Sequence, residues 1–208
     1  MKKLALWIVI GMLLDFPSVV LAADAAGVGI VKGVITISGK PATDAVVSIE
    51  GLSNDQVKTA MSHAKPQKKI IDQRDVKFVP TVVVITVGET VEFPNHDKSW
   101  HNVYSKGGAN DFDLGLYAPG KTRSKKFDKP DVSRILCNAH PNMEAFVVVK
   151  DHPFISTTDS RGNYEIRNVP LGKLRVEIWS PNSDIRSEPV PLVRNGEVFA
   201  LNVDLKKR

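Results

Sequence analysis

The sequence predicts an all-β fold made of two small β-sandwiches. Three observations support this: short alternating apolar and polar runs recur, turn residues separate them, and only one short segment has a helical pattern. The 208 residues include 14 glycines and 13 prolines but only 7% aromatic residues, which favours many turns. A hydrophobic content of 42% is sufficient for a packed core and excludes a generally disordered chain.

The first predicted element is an export signal. Two lysines precede an apolar run over residues 4–14, and small residues follow at 20–23. This order describes a secretory signal peptide over residues 1–22. A membrane anchor would need roughly 20 apolar residues, and Asp15 and Pro17 interrupt the run too early. We therefore expect a periplasmic or secreted protein with no transmembrane anchor after cleavage.

Strand patterns then follow one another along the chain. Residues 52–75 are polar and lysine-rich, which predicts a linker with one short helix over Asn54 to His63. A second, weaker domain boundary lies at residues 151–153. Residues 66–152 therefore form a middle portion with a boundary on each side. The predicted strands cover residues 28–38, 45–50, 82–87, 91–93, 102–104, 134–137, 145–149, 154–158, 164–167, 173–179 and 198–205.

The middle portion carries the residues with distinctive chemistry. Residues 137–143 read C-N-A-H-P-N-M, so Cys137, His140 and Met143 recur at intervals of three and one tight loop can place them around an ion. His101 directly precedes a predicted strand that can bring a second imidazole. Two histidines and one cysteine with a weak axial methionine are the ligands of blue copper electron-transfer sites. We therefore predict a type 1 copper site that alternates between Cu(I) and Cu(II).

Two other kinds of site share some of these residues. Zinc sites use cysteine, histidine and carboxylate but rarely a thioether, and a cysteine–histidine nucleophile gives no role to Met143. The remaining histidines, His63, His96 and His152, have polar neighbours and are predicted to lie on the surface. Three spare histidines cannot form the additional trinuclear copper cluster of a multicopper oxidase, which argues against oxidase or nitrite reductase chemistry within this chain alone. We expect no enzyme activity, because no base, nucleophile or open substrate position accompanies the four ligands.

Four motifs of the middle portion match a known pattern: F-V-P at 78–80, V-G-E-T-V-E-F-P-N-H-D at 87–97, H-N-V at 101–103 and C-x-x-H-x-x-M at 137–143. Through them, residues 78–149 resemble a cupredoxin of the plastocyanin and amicyanin type, with a loop spacing closer to amicyanin. The arrangement also resembles proteins labelled methylamine utilization proteins. The resemblance implies a Greek-key β-sandwich over residues 66–152, in which Asn102 braces the thiolate-bearing loop by hydrogen bonds. It implies the copper ligands His101, Cys137, His140 and Met143.

The flanking segments carry a second pattern. Residues 33–49 read GVITISGKPATDAVVSI and residues 159–179 read DSRGNYEIRNVPLGKLRVEIW. They resemble a carboxypeptidase regulatory-like domain, a small transthyretin-like β-sandwich without catalysis of its own. The resemblance implies a discontinuous sandwich of residues 27–58 plus 153–208, with the cupredoxin inserted into it. The alternative is that the two units follow one another along the chain without insertion. In that arrangement an N-terminal hairpin extends the cupredoxin.

The predicted function is single-electron transport between a donor and an acceptor protein. Copper storage or delivery would use the same ligands, and an interaction module acting through the flanking sandwich is a third possibility. The net charge of +5 leaves an acidic protein or an anionic membrane surface as candidate partners. We expect no nucleic-acid binding, because no aromatic residues interleave with the basic residues of 121–126.

Overall fold

The computed structural model describes residues 27–208, and its regular secondary structure is strand apart from one helix, so the all-β prediction is confirmed. The predicted signal peptide lies outside the described residues. Within residues 27–208, no helix is long and apolar enough to cross a membrane. The elements follow in chain order as β1 Val28–Ile37, β2 Lys40–Pro41, β3 Val46–Glu50, α1 Asn54–His63, β4 Lys69–Ile70, β5 Asp72–Arg74, β6 Lys77–Val79, β7 Val82–Thr86, β8 Thr90–Pro94, β9 His101–Ser105, β10 Phe112–Tyr117, β11 Thr122–Lys126, β12 Asp131–Leu136, β13 Glu144–Lys150, β14 Ile155–Thr157, β15 Asn163–Pro170, β16 Gly172–Trp179, β17 Arg186–Leu192, β18 Val198–Ala200 and β19 Val203–Leu205.

The helix α1 occupies the predicted residues because its first turn is capped by side chains. The Ser53 hydroxyl accepts the Gln56 N–H at 3.2 Å, and the Gln56 side chain accepts the Ser53 N–H at 2.8 Å. This reciprocal pair satisfies two backbone donors that the helix itself leaves free. The linker predicted over residues 52–75 is wrong in its second half, because β4 pairs with β8 and β5 pairs with β6.

Strands from the two ends of the described chain pair with one another. The strand β1 pairs with β15 on one side, with β18 and β19 in parallel, and with β2, forming a five-stranded sheet. A four-stranded sheet follows the order β14-β3-β16-β17. The inward side chains of both sheets share one hydrophobic core, drawn from residues 31–49 and 154–205.

The intervening strands form a separate set of sheets. A five-stranded sheet has the order β10-β9-β12-β13-β7, a three-stranded sheet has the order β11-β8-β4, and β5 pairs with β6. Their core draws on residues 71–149 and contains Cys137 and Met143. We propose on this basis that residues 66–152 are inserted into a discontinuous unit of residues 27–58 and 153–208.

The two sets of sheets meet through apolar packing and a partly buried cation. The ring of Phe146 in β13 packs edge-on against Trp179 in β16, with centroids 5.2 Å apart. Beside this pair, Lys150 Nζ lies 2.8 Å from a carboxylate oxygen of both Glu50 and Glu177. Burial lowers the pKa of Lys150, but hydrogen bonds and attraction from the two carboxylates outweigh burial and raise the pKa.

His152 is buried, with 3% of its surface exposed, so its predicted surface position is wrong. It lies where the chain leaves the middle portion, and its ring stacks on Phe154 with centroids 6.1 Å apart. Its Nδ1 accepts the Phe154 N–H at 3.2 Å, while Nε2 has no hydrogen-bond partner within residues 27–208. His63 and His96 are exposed, as predicted.

Acidification should destabilise the protein through His152. Burial lowers the pKa of His152, although the charges of Glu50 and Asp151 partly raise it. The unfolded chain therefore binds a proton at this histidine first, so the free energy of unfolding should fall as the pH drops below about 6.5. Urea denaturation between about pH 7.5 and about pH 5 should show a smaller loss of stability for His152→Gln than for wild type. The exposed His63→Gln is the control, and an equal loss in His152→Gln and wild type would contradict this prediction.

Candidate metal centre

The strand β9 places His101 inside the middle set of sheets. His101 is the first residue of β9 and is fully buried, and Val103 follows it on the core side because side chains alternate along a strand. His101 Nε2 lies 3.0 Å from Asp97 Oδ2. The backbone N–H of Val76 holds the pKa of Asp97 below its usual range, and the Lys98 N–H and His101 add to this effect. Asp97 is thus a carboxylate that orients the imidazole and leaves Nδ1 facing the core.

The loop between β12 and β13 carries the other predicted ligands. Both ends of the loop are held by the pairing of β12 with β13, in which Leu136 is directly opposite Glu144. The Met143 N–H donates to the His140 carbonyl at 3.0 Å, which closes a turn within the loop. Cys137 is 3% exposed and Met143 is fully buried, whereas His140 is partly exposed. The loop therefore directs two sulfur side chains into the core and leaves one imidazole at the surface.

Three of the four predicted ligands converge on one point. His101 Nδ1 lies 3.0 Å from His140 Nδ1, and Cys137 Sγ lies 4.0 Å from the former nitrogen and 3.9 Å from the latter. A point equidistant from these atoms lies about 2.1 Å from each, close to the roughly 2.0–2.1 Å and roughly 2.3 Å bonds that nitrogen and sulfur form to a zinc-sized ion. Met143 lies at the end of the same loop, in the core that contains Cys137. This donor set fits a soft transition metal.

Asn102 connects the two pieces of chain that carry these donors. Its Oδ1 accepts the Asn138 N–H at 2.9 Å, and its Nδ2 donates to Asp113 Oδ1 at 2.7 Å. Asn102 follows His101 and Asn138 follows Cys137, so this amide fixes the distance between the strand and the loop. The bracing role that the cupredoxin resemblance implies for Asn102 stays a prediction, and these two hydrogen bonds are the contacts on which it rests.

Two contributors to the centre were missed by sequence reasoning. Asp97 lies within the N-H-D-K-S-W-H run, four residues before His101. In a loop, unlike in a helix, this interval does not predict that the two side chains meet. Tyr117 is directly opposite His101 in β10, and its hydroxyl donates to the Phe93 carbonyl at 2.8 Å. Burial raises the pKa of Tyr117 to about 12, so its hydroxyl stays protonated at neutral pH. No local sequence signal indicates this partner, because the pairing of β9 with β10 creates it.

Residues 66–150 match the family model described as copper binding proteins, plastocyanin/azurin family. This part of the chain is thus similar to the plastocyanin/azurin family of copper-binding proteins, and its set of donor atoms is compatible with copper. No curated protein matches the sequence. The resemblance of the flanking segments to a carboxypeptidase regulatory-like domain stays a prediction.

Solved structures similar to this chain include copper proteins of different sizes. A copper-containing nitrite reductase from Thermus scotoductus SA-01 has 26% identity and a TM-score of 0.39, and the match covers 42% of this chain and 23% of that one. A purple cupredoxin from Nitrosopumilus maritimus has 22% identity and a TM-score of 0.37, with coverage of 40% and 100%. Amicyanin from Paracoccus versutus has 21% identity and a TM-score of 0.37, with coverage of 44% and 89%. The match thus spans less than a quarter of the nitrite reductase.

The sequence-based exclusion of enzymes is wrong, because an enzyme, the copper-containing nitrite reductase, is among the similar structures. The exclusion relied on the lack of a base, a nucleophile or an open substrate position beside the four ligands, and on a count of histidines within this chain alone. Within residues 27–208, the geometry shows a set of possible metal donors.

Proposed function

We propose that this protein is exported and carries single electrons between a donor and an acceptor protein, using a type 1 copper site. The proposed ligands are His101, Cys137, His140 and Met143. The observation that supports this most directly is the convergence of the two imidazoles and the thiol, whose donor atoms all lie within 4.8 Å of one another. Copper held there would take up and release one electron by alternating between Cu(I) and Cu(II).

The chain contributes rigidity and exclusion of water. His101 is held by a strand and by Asp97, while Cys137 is held by a loop with both ends in a ladder. Ligands fixed from two sides relax little when the charge at the site changes, which suits fast electron exchange. Because His140 is the partly exposed member, we propose that it contacts the redox partner.

The direct test is spectroscopic. The protein without residues 1–22 is loaded with Cu(II), and its absorption and electron paramagnetic resonance spectra are recorded before and after reduction. We expect an intense blue colour that reductant bleaches and oxidant restores. A colourless Cu(II) complex would refute the proposal. Repeating the cycles beside a copper chelator separates electron transport, in which copper stays bound, from copper storage or delivery, in which it is lost.

Replacing Asn102, which connects the strand and the loop that carry the ligands, should lower the affinity for copper. Asn102→Ala loses the hydrogen bonds to Asn138 and Asp113, so we expect copper affinity to fall about 10- to 100-fold, as for other residues that orient metal ligands. Competition with a chromophoric Cu(I) chelator measures the change. The control is Asn142→Ala, because Asn142 is exposed in the same loop. Equal affinities of Asn102→Ala and wild type would show that the brace has no effect on the metal.

A further inference from the structure

The hairpin of β5 and β6 ends in a two-residue turn whose backbone is strained. Asp75 and Val76, the residues of this turn, have φ angles of 52° and 55°. This left-handed region is uncommon for residues other than glycine, and a β-branched side chain there is an outlier. Two-residue hairpin turns of this kind favour glycine at the second position. Val76 therefore adopts a conformation that its own side chain disfavours.

Packing of the Val76 side chain does not compensate for this strain. The residue is 40% exposed, and it belongs to none of the apolar clusters in the part of the chain that the structure describes. The backbone of the turn forms the closer contact, because the Val76 N–H donates to Asp97 Oδ2 at 2.7 Å. Strained residues persist where the surrounding structure holds them, and they cluster at functional sites. The hydrogen bond to Asp97 thus accounts for the conformation of Val76.

The base of the same hairpin is attached to the chain segment that leads to Asp97. Gln73 in β5 is fully buried, and its Nε2 donates to the Pro94 carbonyl at 3.1 Å. The Gln73 carbonyl accepts the His96 N–H at 3.0 Å. The hairpin therefore contacts this segment at two points, with Gln73 at its base and Val76 at its tip. Two points of attachment fix the position of the tip relative to the Asp97 carboxylate.

One oxygen of Asp97 is shared between the hairpin and the buried imidazole. Asp97 Oδ2 accepts the Val76 N–H and lies 3.0 Å from His101 Nε2, while Oδ1 accepts the Lys98 N–H at 2.7 Å. An ionised carboxylate can only accept hydrogen bonds, so His101 Nε2 carries the proton of the ring. His101 Nδ1 is then unprotonated and directs its lone pair toward the other donor atoms of the centre. The contact with Asp97 therefore fixes both the orientation of the ring and the nitrogen that is free for a metal.

We propose that Val76 is a positioning residue for the metal centre, a role that rests on the proposed copper site. The tip of the β5–β6 hairpin fixes His101 by donating the Val76 backbone N–H to Asp97. The backbone of Val76 has this role, and its side chain does not. The N–H also compensates part of the negative charge of Asp97, so it changes the electrostatic potential at the imidazole and at a metal bound to it.

Two substitutions should shift the reduction potential of bound copper in opposite directions. Val76→Pro removes the N–H, because proline has no amide hydrogen and cannot adopt a positive φ. The charge of Asp97 is then less compensated, which favours Cu(II) over Cu(I) and lowers the potential. Asp97→Asn removes the charge, favours Cu(I) and raises the potential. Redox titration followed by the visible absorption measures both shifts, and shifts of the same sign would overturn the proposal.

A second measurement needs no copper. In the metal-free ¹⁵N-labelled protein, nuclear magnetic resonance should detect a slowly exchanging Nε2–H proton of His101, because Asp97 holds it in a hydrogen bond. The matched control is Val76→Gly, which keeps the N–H and relieves the strain, and it should retain this signal. Val76→Pro should lose it. Inserting one glycine between Asp75 and Val76 displaces the N–H without proline, at an exposed turn that tolerates insertion, and should also lose the signal.

The outcomes separate the role of Val76 from the proposed function. A slowly exchanging His101 proton that survives in both the proline and the insertion variants would refute the positioning role, as would its absence from wild type. Its loss in Val76→Gly would also refute the proposal, because the side chain would then have the role. A blue protein with any of these results refutes the role of Val76 alone. A colourless Cu(II) complex refutes the proposed function, and the metal-free measurement still decides whether the hairpin fixes His101.

Discussion

Replacing Cys137 by serine should abolish the intense visible absorption of the Cu(II)-loaded protein. The chain contains a single cysteine, so no other thiolate can replace its sulfur at the metal. A serine hydroxyl is a much weaker ligand for a soft ion at neutral pH. The absorption spectrum and the copper hyperfine splitting in paramagnetic resonance both measure the loss. Cys137 is 3% exposed and serine is of similar size, so circular dichroism should still show a folded chain.

A pair of histidine variants provides the matched control. His101→Gln should also remove the blue colour, because the fully buried His101 brings the second imidazole to Cys137. His96→Gln should leave the spectrum unchanged, since His96 is exposed and contacts Asp72 rather than the other donors. A Cys137→Ser protein that stays blue, or a His96→Gln protein that turns colourless, would contradict the ligand set.

Truncating Phe93 should cause the largest loss of stability that we expect from a single substitution. Phe93 is fully buried in the middle core and packs against Phe112, with ring centroids 6.2 Å apart. Phe93→Ala should lower the free energy of unfolding by about 3–5 kcal/mol, because it removes buried apolar surface and leaves a cavity. Guanidinium denaturation followed by fluorescence measures the change. The exposed Val193→Ala should change stability by no more than about 0.5 kcal/mol.

A second core substitution tests whether the two cores are independent. Ile178 is fully buried in the core of the flanking sheets. Ile178→Ala should cost about 2–5 kcal/mol in that unit and leave the blue absorption at room temperature unchanged. A loss of colour in the folded Ile178→Ala protein would show that the copper site depends on the flanking core, against the proposed inserted organisation.

The strands that sequence reasoning missed share a physical cause. The strand β11 reads T-R-S-K-K and has no apolar alternation, because it is an exposed edge strand. The strand β10 carries Gly115 and a register shift between Asp113 and Leu116, which breaks the period of two. The strand β17 contains Pro189 and Pro191, which an edge strand tolerates because alternate N–H groups face away from the ladder. In each case the pairing with a neighbouring strand supplies what the local pattern lacks.

The sequence by itself determined the features that depend on neighbours in the chain. The alternation of strands such as β1, the capping of α1 by Ser53, and the intervals within the 137–143 loop are all short-range. The tertiary structure alone decided how His101 meets Cys137 across 36 residues, that His152 is buried, and that Asp97 orients an imidazole. These contacts depend on which strands pair and in which register, and that choice minimises the free energy of the whole packed chain rather than of any short segment.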